Sequence, residues 1–298
     1  MFSELFIFSL SLFIFSCNGG KESPNDKNRI PLVEYSRVTA KMLDESSGII
    51  KSRQHDNTYW IHNDSGDEAR IFAINKNGEL LFPEGSDNYR GLYITGATNV
   101  DWEDIANDDQ GNLYISDMGN NANKRKDMAI YIVKEPDPLT VTSVPAVSRI
   151  PVYYPDQTEF PPKKDNFDTE AMFWTGGKIY VMTKHRADTY TRLYRLDSLK
   201  TDKPNGLTYL GTFDTGEKVT AADVSPDGKS IAVLTYKNVW LFTQTKTSKY
   251  WLDGEAKMLP IAAIQDEGIC FDGADVLVIT NEQRSIYRVP VKDLRPVD

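Results

Sequence analysis

The sequence has few of the side chains that build nitrogen- and sulfur-ligated metal centres. Among its 298 residues there are only three histidines and two cysteines. Zinc sites in proteins are made mainly from those two residue types. A zinc-type centre is therefore disfavoured, and a metal site in this chain would have to use oxygen ligands.

The chain also lacks a basic face, a long helix and the common catalytic motifs. Its formal net charge is −9 and its lysines and arginines are scattered, which argues against the basic surface that nucleic-acid binding requires. No stretch shows helical periodicity over more than two turns. There is no G-x-S-x-G elbow, Walker loop, H-E-x-x-H motif or G-x-G-x-x-G loop. We expect an all-β protein that does not bind nucleic acid.

The N-terminal sixteen residues are nearly all apolar and end at Ser16-Cys17. This run is shorter than the roughly 20 residues of a membrane-spanning helix, but it fits the apolar region of a signal peptide. The small Ser16 before Cys17 resembles a bacterial lipoprotein processing site, in which the cysteine becomes the lipidated first residue. The alternative is an ordinary secretory signal with an incidental cysteine. If Cys17 is lipidated, Cys270 has no partner for an intramolecular disulfide.

These features predict three segments. We expect residues 1–16 to be a signal peptide, residues 17–32 to be the lipidated cysteine with a flexible polar stalk, and residues 33–298 to be one domain. The protein would then be an exported, monomeric lipoprotein of the bacterial cell envelope. It would be held at the membrane, and we expect the outer membrane, through Cys17.

The rest of the chain repeats one pattern five times. Each copy begins a short apolar strand, reaches a turn rich in Asn, Asp or Gly, and continues into a second and a third strand. The copies begin at Ser47-Gly48-Ile49, Glu103-Asp104-Ile105, Glu170-Ala171-Met172, Ala222-Asp223-Val224 and Glu267-Gly268-Ile269. Strands repeated in this way predict the blades of a β-propeller.

Five copies predict five blades, or six if a degenerate blade lies in the interval 47–103 or 103–170. An alternating strand pattern at residues 37–42 precedes the first copy. We expect this N-terminal strand to complete the last blade and close the ring, because closure removes an exposed edge.

The strand starts and the ends of the second strands should meet at one mouth of the central channel. The expected strand-start set is Ser47, Glu103, Glu170, Ala222 and Glu267, and the expected strand-end set is Asp64, Asp117, Lys184, Tyr236 and Glu282. Carboxylates about 4 to 5 Å apart repel by roughly 3 to 4 kcal/mol per pair at an effective dielectric of about 20. A cation would relieve this repulsion, and Ca²⁺ suits a ring of oxygen ligands. The alternative is that the glutamates cap strand amides or pair with Arg and Lys.

The strand-start set resembles that of the calcium-dependent apyrases, five-bladed propellers with Ser or Glu at this point of each blade. The resemblance implies that Ser47, Glu103, Glu170 and Glu267 surround a central Ca²⁺, and that the activity is nucleoside di- or triphosphate hydrolysis. Ala222 departs from the pattern because it has no side-chain oxygen.

Two further motifs carry other resemblances. The segments 267–269 (Glu-Gly-Ile) and 227–233 (Asp-Gly-Lys-Ser-Ile-Ala-Val) are similar to those of gluconolactonase-like and SdiA-regulated bacterial propellers. The overall pattern resembles bacterial propeller lipoproteins of uncharacterised function.

Several residues are candidates for proton transfer or substrate binding: Asp101, Asp117, Glu282, His62 and Lys184. Asp101 precedes Trp102, which could form a sugar platform or pack between blades. His62 could act in acid–base catalysis or be buried by the alternation of its strand. Lys184 could hold an anionic group of a substrate or neutralise the acidic ring.

Two functions are compatible with these features, and the sequence does not decide whether the protein is an enzyme. The first is a cation-dependent hydrolase that acts at the channel mouth on a phosphoester or a lactone. The second is a non-catalytic module that binds a glycan, a protein or a small molecule there at the cell surface.

Overall fold

The computed structural model describes residues 29–262 and 265–297, and nearly all of the regular structure in them is β-strand. The only helical segments there are two short 3₁₀ turns, Trp251–Asp253 and Val291–Asp293. No described helix is long and apolar enough to cross a membrane. The all-β prediction is confirmed. The predicted signal peptide, Cys17 and the stalk up to residue 28 lie outside the described residues.

Two N-terminal strands precede five units that are built mainly of consecutive antiparallel hairpins. The N-terminal strands are β1 (Ile30–Pro31), which pairs with β20, and β2 (Glu34–Arg37), which pairs with β23. Unit one contains β3 (Ser46–Lys51), β4 (Tyr59–Asn63), β5 (Arg70–Ile74), β6 (Leu80–Leu81) and β7 (Leu92–Thr95). Unit two contains β8 (Trp102–Asn107), β9 (Asn112–Asp117), β10 (Ala129–Lys134) and β11 (Ser143–Tyr153).

The remaining units repeat this plan. Unit three contains β12 (Thr169–Thr175), β13 (Lys178–Thr183), β14 (Tyr190–Leu196), β15 (Asn205–Gly206) and β16 (Thr208–Asp214). Unit four contains β17 (Val219–Val224), β18 (Ser230–Thr235), β19 (Asn238–Thr243) and β20 (Glu255–Ala262). Unit five contains β21 (Asp266–Phe271), β22 (Val276–Asn281), β23 (Ser285–Pro290) and β24 (Arg295–Pro296).

Short extra strands link the units into four sheets. Strand β7 pairs antiparallel with β5 and parallel with β11, which joins units one and two into one ten-stranded sheet. Strand β24 pairs with β20, and so this strand returns from unit five to unit four.

The first strand of each unit, here called its inner strand, packs against the inner strands of its two neighbours. The contacts run from β3 to β8, β12, β17 and β21, and from β21 back to β3, so they close a cycle. Apolar side chains fill the spaces between successive units in four clusters. Cys270 lies in one of these clusters as a buried free thiol.

The N-terminal strand pairs with the last unit, but it lies earlier in the chain than predicted. Strand β2 pairs antiparallel with β23 through residues 34–37, whereas residues 38–42 leave the sheet. Val38, Ala40 and Leu43 are buried against unit one. Their alternating pattern therefore reflects a segment that enters the core and does not mark a strand.

Every inner strand is irregular at the same place. Near its start the inner strand has one residue more than the second strand opposite it, which is the mark of a β-bulge. The pairing skips one inner-strand residue in units two to five, and in unit one it skips Ser47 and Gly48 opposite His62. The equivalent bulge residues of units one to five are Ser47, Glu103, Glu170, Thr220 and Glu267. The predicted register of the fourth copy is therefore wrong by two residues: Thr220, not Ala222, corresponds to Glu103.

One buried carboxylate, that of Asp104, connects three of the inner strands. Its Oδ2 accepts hydrogen bonds from the main-chain N–H of Met172 at 2.7 Å and of Ala222 at 3.3 Å. Its Oδ1 accepts one from the N–H of Ile105 at 2.9 Å. The side chain is fully buried, and so these N–H groups have no water to replace it.

We predict that Asp104→Ala lowers the free energy of unfolding by about 3 kcal/mol, because it leaves buried N–H groups on three strands without an acceptor. Asp104→Asn retains one acceptor oxygen and should cost about 1 kcal/mol. Urea unfolding followed by tryptophan fluorescence measures both. Asp109→Ala, at an exposed turn of the same unit, is the control and should change stability by less than about 0.5 kcal/mol. Equal effects of Asp104→Ala and Asp109→Ala would contradict this role.

Candidate cation site at the start of the inner strands

A narrow, polar cavity lies where the inner strands begin. Its volume is about 50 Å³, which is room for one or two water-sized groups. We call it the acidic cavity. Its lining comprises Glu45, Ser46, Ser47, Asp64, Glu103, Asn121, Glu170, Lys184, Glu267 and Glu282. All four predicted metal ligands are in this lining, and so are two of the predicted catalytic residues, Lys184 and Glu282.

Two sets of carboxylates in and beside the cavity could each surround an ion. One set is Asp64, Asp101 and Glu103, and the other is Glu103, Asp168 and Glu170. Within each set, one oxygen from every residue lies within 4.8 Å of the others. Glu103 belongs to both sets, and so this side chain is the centre of the acidic group.

Sequence reasoning missed Asp168, although the sequence contained a signal for it. The segments Asp101-Trp102-Glu103 and Asp168-Thr169-Glu170 are equivalent in units two and three, because Trp102 and Thr169 both occupy the last regular pair before the bulge. An Asp-x-Glu motif at two equivalent strand starts places two carboxylates per unit at the same mouth.

Burial and mutual repulsion raise the pKa values of these carboxyls. Burial raises the pKa of Glu103 well above its usual value, and the charges of Glu170, Asp64 and Asp101 raise it further. Burial, together with the charge of Asp64, raises the pKa of Asp101 to about 7. Burial also raises the pKa of Glu267 to about 7, against the opposing charge of Lys184. Without a cation, the acidic cavity therefore retains protons near neutral pH.

Basic side chains compensate one side of the cavity. Lys184 Nζ donates to Glu170 Oε2 at 2.9 Å, and both side chains are almost fully buried. Arg186 donates to Asp168 Oδ2 at 2.8 Å and lies 3.7 Å from Glu170 Oε1. Burial opposes the charge on Lys184, but Glu170 and Glu267 outweigh it and raise the lysine pKa. The predicted alternative, in which glutamates pair with basic residues, therefore holds for Glu170.

Glu103 has no such compensation. In the described ranges, no lysine or arginine nitrogen lies within 4.0 Å of its carboxylate, and its side chain is only 4% exposed. The charge of Arg125 acts on Asp101, but the Arg125 nitrogens donate to Asp117 Oδ1 at 3.1 Å and to Asp127 Oδ1 at 3.2 Å. Among the described residues, the set Asp64, Asp101 and Glu103, in and beside the cavity, therefore makes no direct ion pair with a lysine or arginine.

The main chain at Gly119 passes directly against this set. Its N–H donates to the Asp101 carbonyl oxygen at 3.1 Å. A Cβ at position 119 would lie 2.2 Å from Glu103 Oε1 and 2.5 Å from Asp101 Cγ. Only glycine leaves the two carboxyls their present positions.

Hydroxyl groups fasten two of the bulges to the next unit. Ser47 Oγ donates to the Glu103 carbonyl oxygen at 2.6 Å, and Thr220 Oγ1 donates to the Asp266 carbonyl oxygen at 2.9 Å. The hydroxyl oxygen of Ser47 can still accept or coordinate through its lone pairs, and its predicted role as a metal ligand stays a prediction.

The other predicted catalytic residues lie outside the lining of the acidic cavity. Asp117 pairs with Trp102, and so Met118 occupies the position that corresponds to Asp64 and Lys184. Asp117 Oδ1 accepts hydrogen bonds from the Asp101 N–H at 3.0 Å and from Arg125. Asp117 therefore holds the main chain at Asp101 in place.

His62 and Trp102 are buried together between units one and two. The rings are 5.8 Å apart in an edge-to-face arrangement, and neither side chain is exposed. Burial lowers the pKa of His62 to about 4, and so the imidazole is neutral at physiological pH. Of the alternatives for Trp102, the structure shows packing between units.

No family model and no curated protein matches the chain. Among solved structures, a proposed 6-phosphogluconolactonase from Bacteroides uniformis shares 12% identity, with 84% of this chain and 69% of that chain covered and a TM-score of 0.39. A chain of a mitotic checkpoint complex shares 8% identity, with 97% of this chain and 99% of that chain covered and a TM-score of 0.41. These likenesses are too weak to support an argument about function.

The raised pKa values predict how stability depends on pH in the absence of divalent cations. The pKa of Asp101 rises from 3.8 to about 7, and that of Glu267 from 4.5 to about 7. Between these limits the folded protein holds protons that the unfolded chain has released, so stability decreases as pH rises through this window. In EDTA, we expect the melting temperature to be higher at pH 5 than at pH 7.5.

The double variant Asp101→Asn, Glu267→Gln should reduce this slope, and only in part, because burial also raises the pKa values of Asp223 and Asp266 to about 7. Glu84→Gln, at an exposed glutamate, should leave the slope unchanged. A melting temperature that rises from pH 5 to pH 7.5 in EDTA would show that these carboxyls do not carry protons as described.

Proposed function

We propose that this protein is a five-bladed β-propeller that binds Ca²⁺ at one mouth of its channel and uses the ion in hydrolysis of a phosphoester or lactone. The single observation that carries the proposal is the set of Asp64, Asp101 and Glu103, which brings one oxygen from each residue within 4.8 Å of the others. Its central member, Glu103, is buried and makes no ion pair with a lysine or arginine of the described residues. We further propose that the chain is exported and held at the cell envelope through lipidated Cys17.

Three features support five blades. The bulge recurs once in each of five units, the five inner strands contact one another in a closed cycle, and β2 adds a fourth strand to unit five. The intervals that might have hidden a sixth blade contain β6, β7 and β11, which belong to units one and two. Pairing of the N-terminal strand with the last unit is the usual way to protect the closing edge of such a ring.

The residues present suit calcium better than other common ions. The lining of the acidic cavity offers carboxylate, hydroxyl and amide oxygens but no imidazole or thiol. Calcium takes about six to eight such oxygens in flexible geometry, whereas magnesium requires near-ideal octahedral geometry. Neighbouring carboxyls that retain protons near pH 7 would exchange them for the ion.

Bound calcium would supply a Lewis acid for the substrate and its attacking water. The other groups have separate roles. Glu282 lines the cavity, lies outside both carboxylate sets and has a pKa raised by burial and then by the charge of Glu45, so it is suited to accept a proton from water. Lys184, fixed by Glu170, is positioned to hold an anionic group of the substrate.

Calcium binding should raise the melting temperature at pH 7.5. At a calcium concentration about 100 times the dissociation constant, mass action adds about 2.7 kcal/mol of stability, which corresponds to about 5 °C for a domain of this size. Glu103→Gln should abolish the shift, and so should Gly119→Ala, because its methyl group fills the position beside Glu103. Glu84→Gln is the matched control and should keep it. If millimolar calcium does not change the melting temperature of the unaltered protein, and the purified sample contains no metal, the proposed cation site is wrong.

The hydrolase can be tested separately from the ion. Nucleotides, phosphate monoesters and lactones are screened with calcium and with EDTA, and we expect turnover only with calcium. Glu282→Gln should then lower kcat by about 100-fold or more while the calcium-induced rise in melting temperature is retained. Calcium binding without turnover of any of these substrates would contradict the hydrolase. It would favour instead a non-catalytic module that binds a glycan, protein or small molecule at the mouth.

A further inference from the structure

A second cavity lies at the opposite end of the ring, where the inner strands end. Its volume is about 300 Å³, which is large enough for a small organic molecule. We call it the far cavity. The residues that matter for its chemistry are Arg53, Asn107 and Asp223, with apolar walls from Ile50, Val224 and Phe271. It shares no residue with the acidic cavity.

Arg53 contributes a positive charge to the far cavity; its guanidinium is positioned by a hydrogen bond but forms no ion pair with a described carboxylate. Its Nε donates to Asn107 Oδ1 at 2.8 Å, and its guanidinium carbon lies 5.7 Å from the centre of the Trp174 ring. Asn107 is itself fixed, because its Nδ2 donates to the Lys51 carbonyl oxygen at 2.7 Å. Within the part of the chain that the structure describes, no carboxylate oxygen lies within 4.0 Å of Arg53. The two terminal nitrogens of its fork are therefore available to a carboxylate.

Asp223 brings a carboxylate to the same cavity. Its Oδ1 accepts from the Val224 N–H at 2.7 Å and its Oδ2 from the Phe271 N–H at 2.8 Å. Each oxygen keeps one further lone pair for a donor, and the side chain is only 7% exposed. The charge of Arg53 acts on Asp223, yet the two groups make no contact. A cation and a carboxylate thus share one cavity without forming an ion pair.

The nearby Lys51 does not compete for this role. Its Nζ pairs with Asp272, which also accepts from Arg288. The charges of Lys51 and Arg288 are therefore engaged inside the protein, and the separated charges left in the far cavity are those of Arg53 and Asp223.

We propose that the far cavity binds a free α-amino acid with an apolar side chain. The carboxylate of the amino acid pairs with the Arg53 fork, and its ammonium group donates to Asp223. The side chain packs against Ile50, Val224 and Phe271. A zwitterion satisfies both separated charges at once, whereas a simple anion would leave Asp223 facing a second negative charge.

Isothermal titration calorimetry with L-alanine, L-valine, L-leucine and L-methionine tests the proposal, and we expect at least one to bind. For that amino acid, the amide, which lacks the carboxylate, and the N-acetyl derivative, which lacks the ammonium group, should each bind at least about tenfold more weakly, a loss of about 1.4 kcal/mol. Arg53→Met and Asp223→Asn should produce similar losses. Arg90→Met, at an exposed arginine away from the far cavity, is the matched control and should bind normally.

Three results would overturn the proposal: no binding of any of the four at millimolar concentration, equal binding of the amide or the N-acetyl derivative, or full binding by Arg53→Met. Because Asp223 also holds two main-chain N–H groups, the ligand series on the unaltered chain decides the question if Asp223→Asn does not fold. Binding should persist in EDTA and in Glu103→Gln, so the outcome is independent of the cation site.

Discussion

The bulge at the start of each inner strand is the constraint on which the rest of the structure depends. It adds one residue to the strand, and in four of the five units the residue at this position lines the acidic cavity. In three units that residue is glutamate, which concentrates like charge in a cavity of about 50 Å³. The arrangement is compact because small residues, such as Gly48 and Gly268, follow the bulge in neighbouring units. A Cβ at Gly48 would lie 2.6 Å from His62 Nε2.

The strands, and most of the order in which they are arranged around the ring, could be predicted from the sequence. Hairpin turns and alternation predicted a first, second and third strand in each copy, and every unit contains them. The sequence was not sufficient for the register, because a bulge leaves no mark in a hydrophobic pattern. In the fourth copy, Asp223 precedes an apolar β-branched residue just as Asp104 does, and so the two aspartates align in sequence. Both carboxylates accept main-chain N–H groups of neighbouring inner strands, but from positions two residues apart.

The same limit explains the candidate site. Ser47, Glu103, Glu170 and Glu267 could be found from the repeat, and they do share one cavity. The roles of their neighbours depend on contacts between units, which the repeat does not contain. Asp117 lies one residue before the position that is equivalent to Asp64, and its carboxylate accepts a hydrogen bond from Arg125. His62 packs against Trp102 in the core. Asp168 could be predicted only by comparing the segment Asp101-Trp102-Glu103 with the equivalent segment Asp168-Thr169-Glu170.

The two sides of the acidic cavity differ in whether basic side chains form ion pairs with the carboxylates. On the side of unit three, Lys184 and Arg186 form ion pairs with Glu170 and Asp168, although burial still raises the pKa of Glu170. On the side of units one and two, Arg125 is already engaged by Asp117 and Asp127. When no cation is present on this second side, protonation relieves the repulsion, because burial raises the pKa values of Glu103 and Asp101. The proposed calcium ion would have to compete with protons at Glu103 and Asp101, so its occupancy would depend on both pH and calcium concentration.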